Sequence, residues 1–346
     1  MKGRLDWIDL AKGIAIILVV IGHVGASYNS ANIYSHETFL SILTKIIYSF
    51  HMPLFIFISG YLFSLKKIQN QSIEVIKILI NYGVPYIFFS VLWIIFKFVF
   101  SSFINTTIDI KQILFIFVTP VSFMWYLYAI MIMEIIQIFI TKFTNEKSFK
   151  LIHCAISAVM ILLVHYYSSA SVSFFSETMS ISDFIISDIF KYYLYFLIGL
   201  YFGKSLVNII QKNLKSYFII STFGVVTMIV CKIMNYNNIL ILNIFFAYVG
   251  ILFIICVSIH LNKNLILNYI GKNTLPIYLL QGFIIAIVRI FNTKIGFNDV
   301  LGIIPLIDCT LFSLLMPIVI YQIFYRIKFI DFLFYPGKYI DYKKIN

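Results

Sequence analysis

The feature that most constrains this chain is the length and number of its apolar runs. Ile14 to Ile21, Leu54 to Phe63, Val84 to Phe100 and Ile244 to Ile259 belong to segments near the ~20 residues that cross a bilayer. Spans are expected at about 7–27, 39–65, 74–102, 122–141, 149–168, 184–204, 216–234, 239–261, 269–291 and 300–324. Their number and flanks do not fit a cleaved signal peptide. Only 12% of the 346 residues are charged, against roughly a quarter in soluble domains. The expected fold class is therefore an all-α integral membrane protein of about ten transmembrane helices. The run Ile113 to Val118 is too short to span and reads as interfacial or re-entrant.

The net charge of +12 would raise nucleic acid in a soluble protein, but here the cations sit in short loops between spans. With the N-terminus in the cytoplasm, most Lys and Arg residues fall at cytoplasmic ends. The opposite loops (Ser27 to Glu37, Ser168 to Asp183, Asn235 to Asn238) are poor in both. An even number of spans then leaves both termini cytoplasmic. No nucleic acid partner is expected; the lipid bilayer is. Cys154, Cys231, Cys256 and Cys309 lie far apart in apolar segments without metal spacing, so they read as small buried residues and no metal is expected.

An anchor needs no ionisable group at membrane depth, where each costs at least ~2.5 kcal/mol. This chain carries His23, His51, Lys97, Glu134, Lys191, Arg289 and Asp308 there. In the first span Asp9, Lys12, Ile16, Val19 and His23 recur at spacings of three and four, which makes one helical stripe. Lys12 and His23 are separated by about 16 Å of rise on nearly the same face. Gly13, Gly22 and Gly25 permit close approach of a neighbouring helix or a ligand. The bland alternative is a packing histidine and a boundary lysine that snorkels. In the second span His51 precedes Pro53, which frees backbone carbonyls for Ser49 or His51. Glu134 has Lys97, Lys191 or Arg289 as possible ion-pair partners. Trp93 and Trp125 are packing or interface anchors more often than substrate platforms.

Several of these residues sit in segments that resemble a known family. Arg4-Leu5-Asp6-Trp7-Ile8-Asp9-Leu10-Ala11-Lys12-Gly13-Ile14 through Gly22-His23 resembles the opening of the acyltransferase-3 family of membrane O-acyltransferases, in which a basic residue precedes a histidine by ten intervening positions. Phe50 to Phe63 resembles its second signature, in wording closest to the fucose 4-O-acetylase-like subgroup. Val84-Pro85-Tyr86, Trp125-Tyr126-Leu127 and Ile270 to Tyr278 resemble further segments. The chain departs from the pattern in three places. Lys12 stands where many members have arginine, Lys66, Lys67 and Lys77 (with Asn81 nearby) replace arginines before the third span, and Gln281 stands where members often have histidine. No appended extracytoplasmic hydrolase-like domain is expected.

The resemblance implies an O-acyltransferase, of O-acetyl type, using acetyl-CoA as donor. His23 would be the general base, with Lys12 and Asp9 beside it. The donor's phosphates would meet Lys12, Lys66, Lys67 and Lys77, and its thin arm would lie along the Lys12–His23 stripe. His51, Trp125 and Glu134 are the candidate acceptor contacts. The acceptor class is a cell-surface glycan or its lipid-linked precursor, with polysaccharide-assembly proteins as possible partners. The expected setting is a bacterial cytoplasmic membrane, crossed many times. Residues 1–330 would form the transmembrane domain and 331–346 a short basic cytoplasmic tail. A transporter or flippase for a lipid-linked sugar is the alternative; transporters also bury charge at the midplane, but no internal repeat is visible.

Overall fold

A computed structural model describes residues 6–340, apart from 35–37, 102–114, 141–146, 169, 175–176, 181–183, 235, 237–238, 262 and 298–300. It is helical almost throughout, and among the described residues ten helical segments are long and apolar enough to cross a membrane. The first eight follow the expected spans closely. The helices are α1 (Asp6–Ser30), α2 (Phe39–Tyr48), α3 (His51–Phe63), α4 (Gln71–Val99), α5 (Trp125–Ile140), α6 (Lys147–Tyr167), α7 (Ile185–Lys212), α8 (Leu214–Ile233), α9 (Leu240–His260), α10 (Leu265–Lys272), α11 (Thr274–Ile295), α12 (Ile303–Phe324) and α13 (Lys328–Phe334). Strands β1 (Ser171–Phe174) and β2 (Glu177–Ser180) pair antiparallel between α6 and α7.

Local chemistry sets the helix ends. Thr38 and Ser41 cap α2 reciprocally, at 3.1 and 2.9 Å, and Asn70 accepts from the Ile73 amide at the start of α4. The second span breaks into α2 and α3 four residues before Pro53, whose ring cannot return a hydrogen bond to Ser49. The expected ninth span divides too. Asn264 caps α10 by accepting from the Leu267 amide at 2.9 Å, and a new helix starts at Thr274 with Pro276 in its first turn. Of the short run Ile113 to Val118, residues 115–118 lie within the described part, where the Ile116 carbonyl accepts from the Tyr86 hydroxyl.

Two compact units emerge. Unit 1 combines Met1–Ile58 with Lys204–Ile323, and unit 2 combines Ser59–Ser101, Thr106–Gly203 and Phe324–Asn346, so the division falls inside α3, α7 and α12. In unit 1, α1 is the hub and packs on α2, α9, α10 and α11. Leu10, Ala11, Ala15, Val20 and Val24 of α1 are wholly buried. The α1–α10 contact is backbone to backbone: a Cβ on Gly13 would lie 2.2 Å from the Leu267 carbonyl oxygen. Gly22 and Gly25 face Tyr48 and Thr44 of α2. These three glycines serve helix packing.

In unit 2, α4 is the hub and packs on α5, α13 and the 3-10 turn Pro336–Lys338. Residues 331–340 of the expected tail are therefore folded, and residue 331 lies inside α13. Among the spans, α6 buries least; Leu151, Ile152, Ile156, Val159 and Leu162 are exposed along it. Such a face is at home against acyl chains and costly in water.

Candidate functional site

The sequence-predicted residues divide between the units. Asp9, Lys12, His23 and His51 belong to unit 1, and Lys66, Lys67, Lys77, Trp125 and Glu134 to unit 2.

In unit 1, the unbroken α1 carries the whole stripe. Asp9 is buried and pairs with Lys12 at 3.3 Å, while the Lys12 side chain keeps 22% of its surface open. A carboxylate one turn before the lysine fixes the ammonium on the helix face. Ile16 and Val19 are buried between Lys12 and His23, and His23 is half-buried. His51 is buried and lies near enough to His23 for the two rings to interact electrostatically. Its Nδ1 is 2.9 Å from the Ile47 carbonyl. A carbonyl only accepts, so His51 donates from Nδ1 and its Nε2 is left with the lone pair in the neutral ring. The first and second sequence motifs thus bring two imidazoles together within the membrane-spanning part of one unit.

Arg289 and Asp308 of unit 1 take part in separate contacts around Ser27 and Tyr28, toward the C-terminal end of α1. Asn292 donates to the Tyr28 hydroxyl at 3.1 Å and to Asp308 at 2.6 Å, and Arg289 donates to the Ser27 carbonyl at 2.9 Å. These bonds tie α1, α11 and α12 together. Gln281 is fully buried on α11.

In unit 2, Lys66, Lys67, Glu74, Lys77, Asn81 and Tyr82 line a cavity of about 330 Å³. Three ammonium groups face one carboxylate there, and Glu74 is held by Lys77 at 2.6 Å. Glu134 lies behind the cavity and is 2% exposed. It accepts from Lys66 at 2.6 Å and from the Tyr82 hydroxyl at 3.2 Å. Its ion-pair partner is thus Lys66, not Lys97, Lys191 or Arg289: a lysine at the end of a span reaches inward on its long stem. Lys97 instead lies 5.7 Å from the Trp93 ring centroid and Lys191 5.2 Å from that of Tyr192. Tyr126 shares a 2.9 Å hydrogen bond with Ser59, and Trp125 stacks on Tyr192 at 5.1 Å. Trp125 therefore packs within its own unit.

The chain similarity agrees with the motifs. The model of the acyltransferase-3 family, described as "Acyltransferase domain", matches residues 5–325. The chain belongs to that family. It is also similar to two curated proteins named "Nodulation protein NolL". One, from Sinorhizobium fredii (strain NBRC 101917 / NGR234), is 52% identical over 56 residues, or 16% of this chain and 15% of that protein. The other, from Mesorhizobium japonicum (strain LMG 29417 / CECT 9101 / MAFF 303099), is 46% identical over 70 residues, or 19% and 18%. The matches thus span less than a fifth of either relative. No solved structure matches. The chain is a multi-pass membrane member of an acyltransferase family. Among the described residues, no group of three or more His, Cys, Asp or Glu could hold a metal ion.

Sequence reasoning singled out the three lysines of the cavity but not Glu74 or Tyr82, and noted Asn81 only as a neighbour. The signal was present: Glu74, Lys77, Ile78, Asn81 and Tyr82 recur at helical spacing on one face of α4.

Proposed function

We propose that this chain moves an acyl group, of acetyl type, from acyl-CoA to a hydroxyl of a cell-surface glycan or its lipid-linked precursor, in a bacterial cytoplasmic membrane and with both termini cytoplasmic. The observation that carries the donor assignment is the lysine-lined cavity of unit 2. Coenzyme A presents phosphates to whatever binds it, and three ammonium groups around a cavity of this size suit them. Lys66 is held in place by a buried carboxylate, so its ammonium is positioned before any ligand arrives. The lysine-rich loops support the orientation, because they would put this cavity on the side where acyl-CoA is made.

His23 is the general base in this reading. Its ring takes the proton of the acceptor hydroxyl as the oxygen attacks the acyl carbonyl carbon. The carbon–sulfur bond then breaks, and the imidazolium returns the proton to the departing thiolate. The products are the acyl ester and free coenzyme A. His51, fixed by its bond to the Ile47 carbonyl, is a second imidazole of the same unit, available to the acceptor. Asp9 holds Lys12 on the helix face that carries His23.

The test is transfer of labelled acetyl from acetyl-CoA to membrane glycans by the wild-type protein and by His23→Ala. Label is expected on a glycan hydroxyl with the wild type and at least a hundred-fold more slowly with the variant. Wild-type rates from a correctly inserted His23→Ala would overturn the assignment of His23. Movement of a lipid-linked sugar across vesicles with no covalent label would overturn the transferase reading.

A further inference from the structure

The described part of the chain ends in a segment that lies beyond residue 325, where the family match stops. In this structure it is built against α4, the helix that carries Glu74, Lys77, Asn81 and Tyr82 of the lysine-lined cavity. After α13 the chain turns through Pro336–Lys338 and packs on α4. Leu333, Phe334 and Pro336 are buried, and the Phe334 ring meets Phe89 of α4 edge-on at 5.0 Å. The buried Asp331 carboxylate locks the turn. It accepts from Lys338 at 3.0 and 3.2 Å and from the Tyr339 hydroxyl at 2.8 Å. Lys338 also lies 4.4 Å from the Tyr335 ring centroid. Burial, with Asp331 beside it, pushes the Tyr335 phenol up to about 12, so both aromatic hydroxyls near this carboxylate stay protonated.

The point of closest approach is Gly337. A Cβ there would lie 2.2 Å from the side-chain oxygen of Asn81, 3.0 Å from its amide carbon and 3.1 Å from its amide nitrogen. Asn81 is a cavity-lining residue. It also sits four residues before Pro85, which has no N–H to return to the Asn81 carbonyl, so α4 lacks a rung of its ladder there. The Asn81 side chain is exposed on α4, and the backbone of the C-terminal turn at Gly337 comes up against it from outside the helix.

We propose that the segment from Lys328 to Tyr339 is a clasp behind the anion-binding cavity, with Gly337 the positioning residue that backs the cavity-lining Asn81 and aims its amide at the donor. This rests on the reading of the cavity as the acyl-CoA site. Only glycine lets the turn seat without pushing the Asn81 amide aside. The Asp331–Lys338–Tyr339 lock keeps the turn seated.

The experiment is equilibrium binding of coenzyme A to the purified full-length chain, with a melting curve on each variant. Gly337→Ala and Asn81→Ala are each expected to weaken binding roughly five-fold, about the worth of one hydrogen bond. Gly337→Ala on top of Asn81→Ala is expected to add nothing, because the amide that the new methyl displaces is already gone. Full affinity in a folded Gly337→Ala protein, or losses that multiply in the double variant, would overturn the clasp. Should Gly337→Ala fail to fold, Asp331→Asn loosens the turn with Gly337 in place. Its loss of affinity should vanish in the Asn81→Ala background, and an equal loss in both backgrounds overturns the proposal. Lys77→Ala separates the two readings. If it weakens coenzyme A while Gly337→Ala does not, the clasp alone fails; if it leaves affinity unchanged, the donor assignment and the clasp fall together.

Discussion

Helices α1 and α4 are each the hub of a unit, both carry a carboxylate–lysine pair one turn apart, and they differ in what surrounds it. On α1 the ion pair is local, Asp9 with Lys12 one turn apart, and the remaining polar atoms are ring nitrogens and hydroxyls. On α4 the pair Glu74–Lys77 is local as well, but it lines a cavity together with Lys66 of the preceding loop, whose charge is balanced by the buried Glu134 of α5. The first arrangement suits moving a proton, because an uncharged imidazole can stay in the membrane in either tautomer. The second suits holding an anion, because cations are already present and one of them is fixed. Unit 1 adds a third pattern, the Tyr28–Asn292–Asp308 cluster, where polar groups of three helices bond to one another and Asp308 also accepts from the Cys309 amide. An ionisable residue at membrane depth can therefore tie helices together as well as mark a site.

This contrast can be broken by mutation. The largest effect is expected for His23→Ala, which should lower turnover by two to four orders of magnitude, roughly the value of a general base, with KM for acetyl-CoA nearly unchanged. A large rise in KM instead would mean that α1 also holds the donor. Next comes Lys66→Ala. It leaves Glu134 buried without its cation and should destabilise the protein by about 3 kcal/mol, read from its melting curve. Pairing it with Glu134→Gln should restore stability but not coenzyme A affinity. Recovery of both would reduce Lys66 to a structural counter-ion. Asp308→Asn should cost about 1–2 kcal/mol of stability and leave KM and turnover as they are, since its bonds to Asn292 and the Cys309 amide join helices rather than face a cavity. Smallest is Lys77→Ala, whose ammonium is a third exposed and already paired with Glu74. It should raise KM for acetyl-CoA roughly three-fold at low salt and less at high salt.

The spans were legible because their signal is local: each is a run of apolar residues of fixed minimum length. The Asp9–Lys12–His23 stripe was legible for the same reason, since one helix carries it and its period alone aligns the residues. Three things were not. The break at Asn273 is invisible to hydropathy, though Asn264 and Pro276 mark a helix start to an eye looking for caps rather than for apolar content. The partner of Glu134 was sought among mid-span cations of similar depth. The actual partner, Lys66, is far away in sequence and reaches in from a helix end, which only tertiary packing reveals. The C-terminal segment reads as a basic tail because its charges dominate. Its alternation of Phe329, Phe332 and Lys338 with buried Leu333, Phe334 and Pro336 gains meaning only once α4 offers a surface.

The contact between α1 and α10 has a consequence for variation. A Cβ on Gly271 would lie 1.7 Å from the Asp9 carbonyl oxygen, and one on Gly13 2.2 Å from that of Leu267. Both obstacles are main chain, so no rotamer change can absorb them. In a saturation library sorted for acyl transfer and read by sequencing, these two positions should tolerate not even alanine. The depleted pair would trace a rigid seam: the helix that carries the imidazole is registered against its neighbour by peptide groups alone. Selection for other acyl chains would have to reshape what faces that helix, because the helix itself has no room to slide.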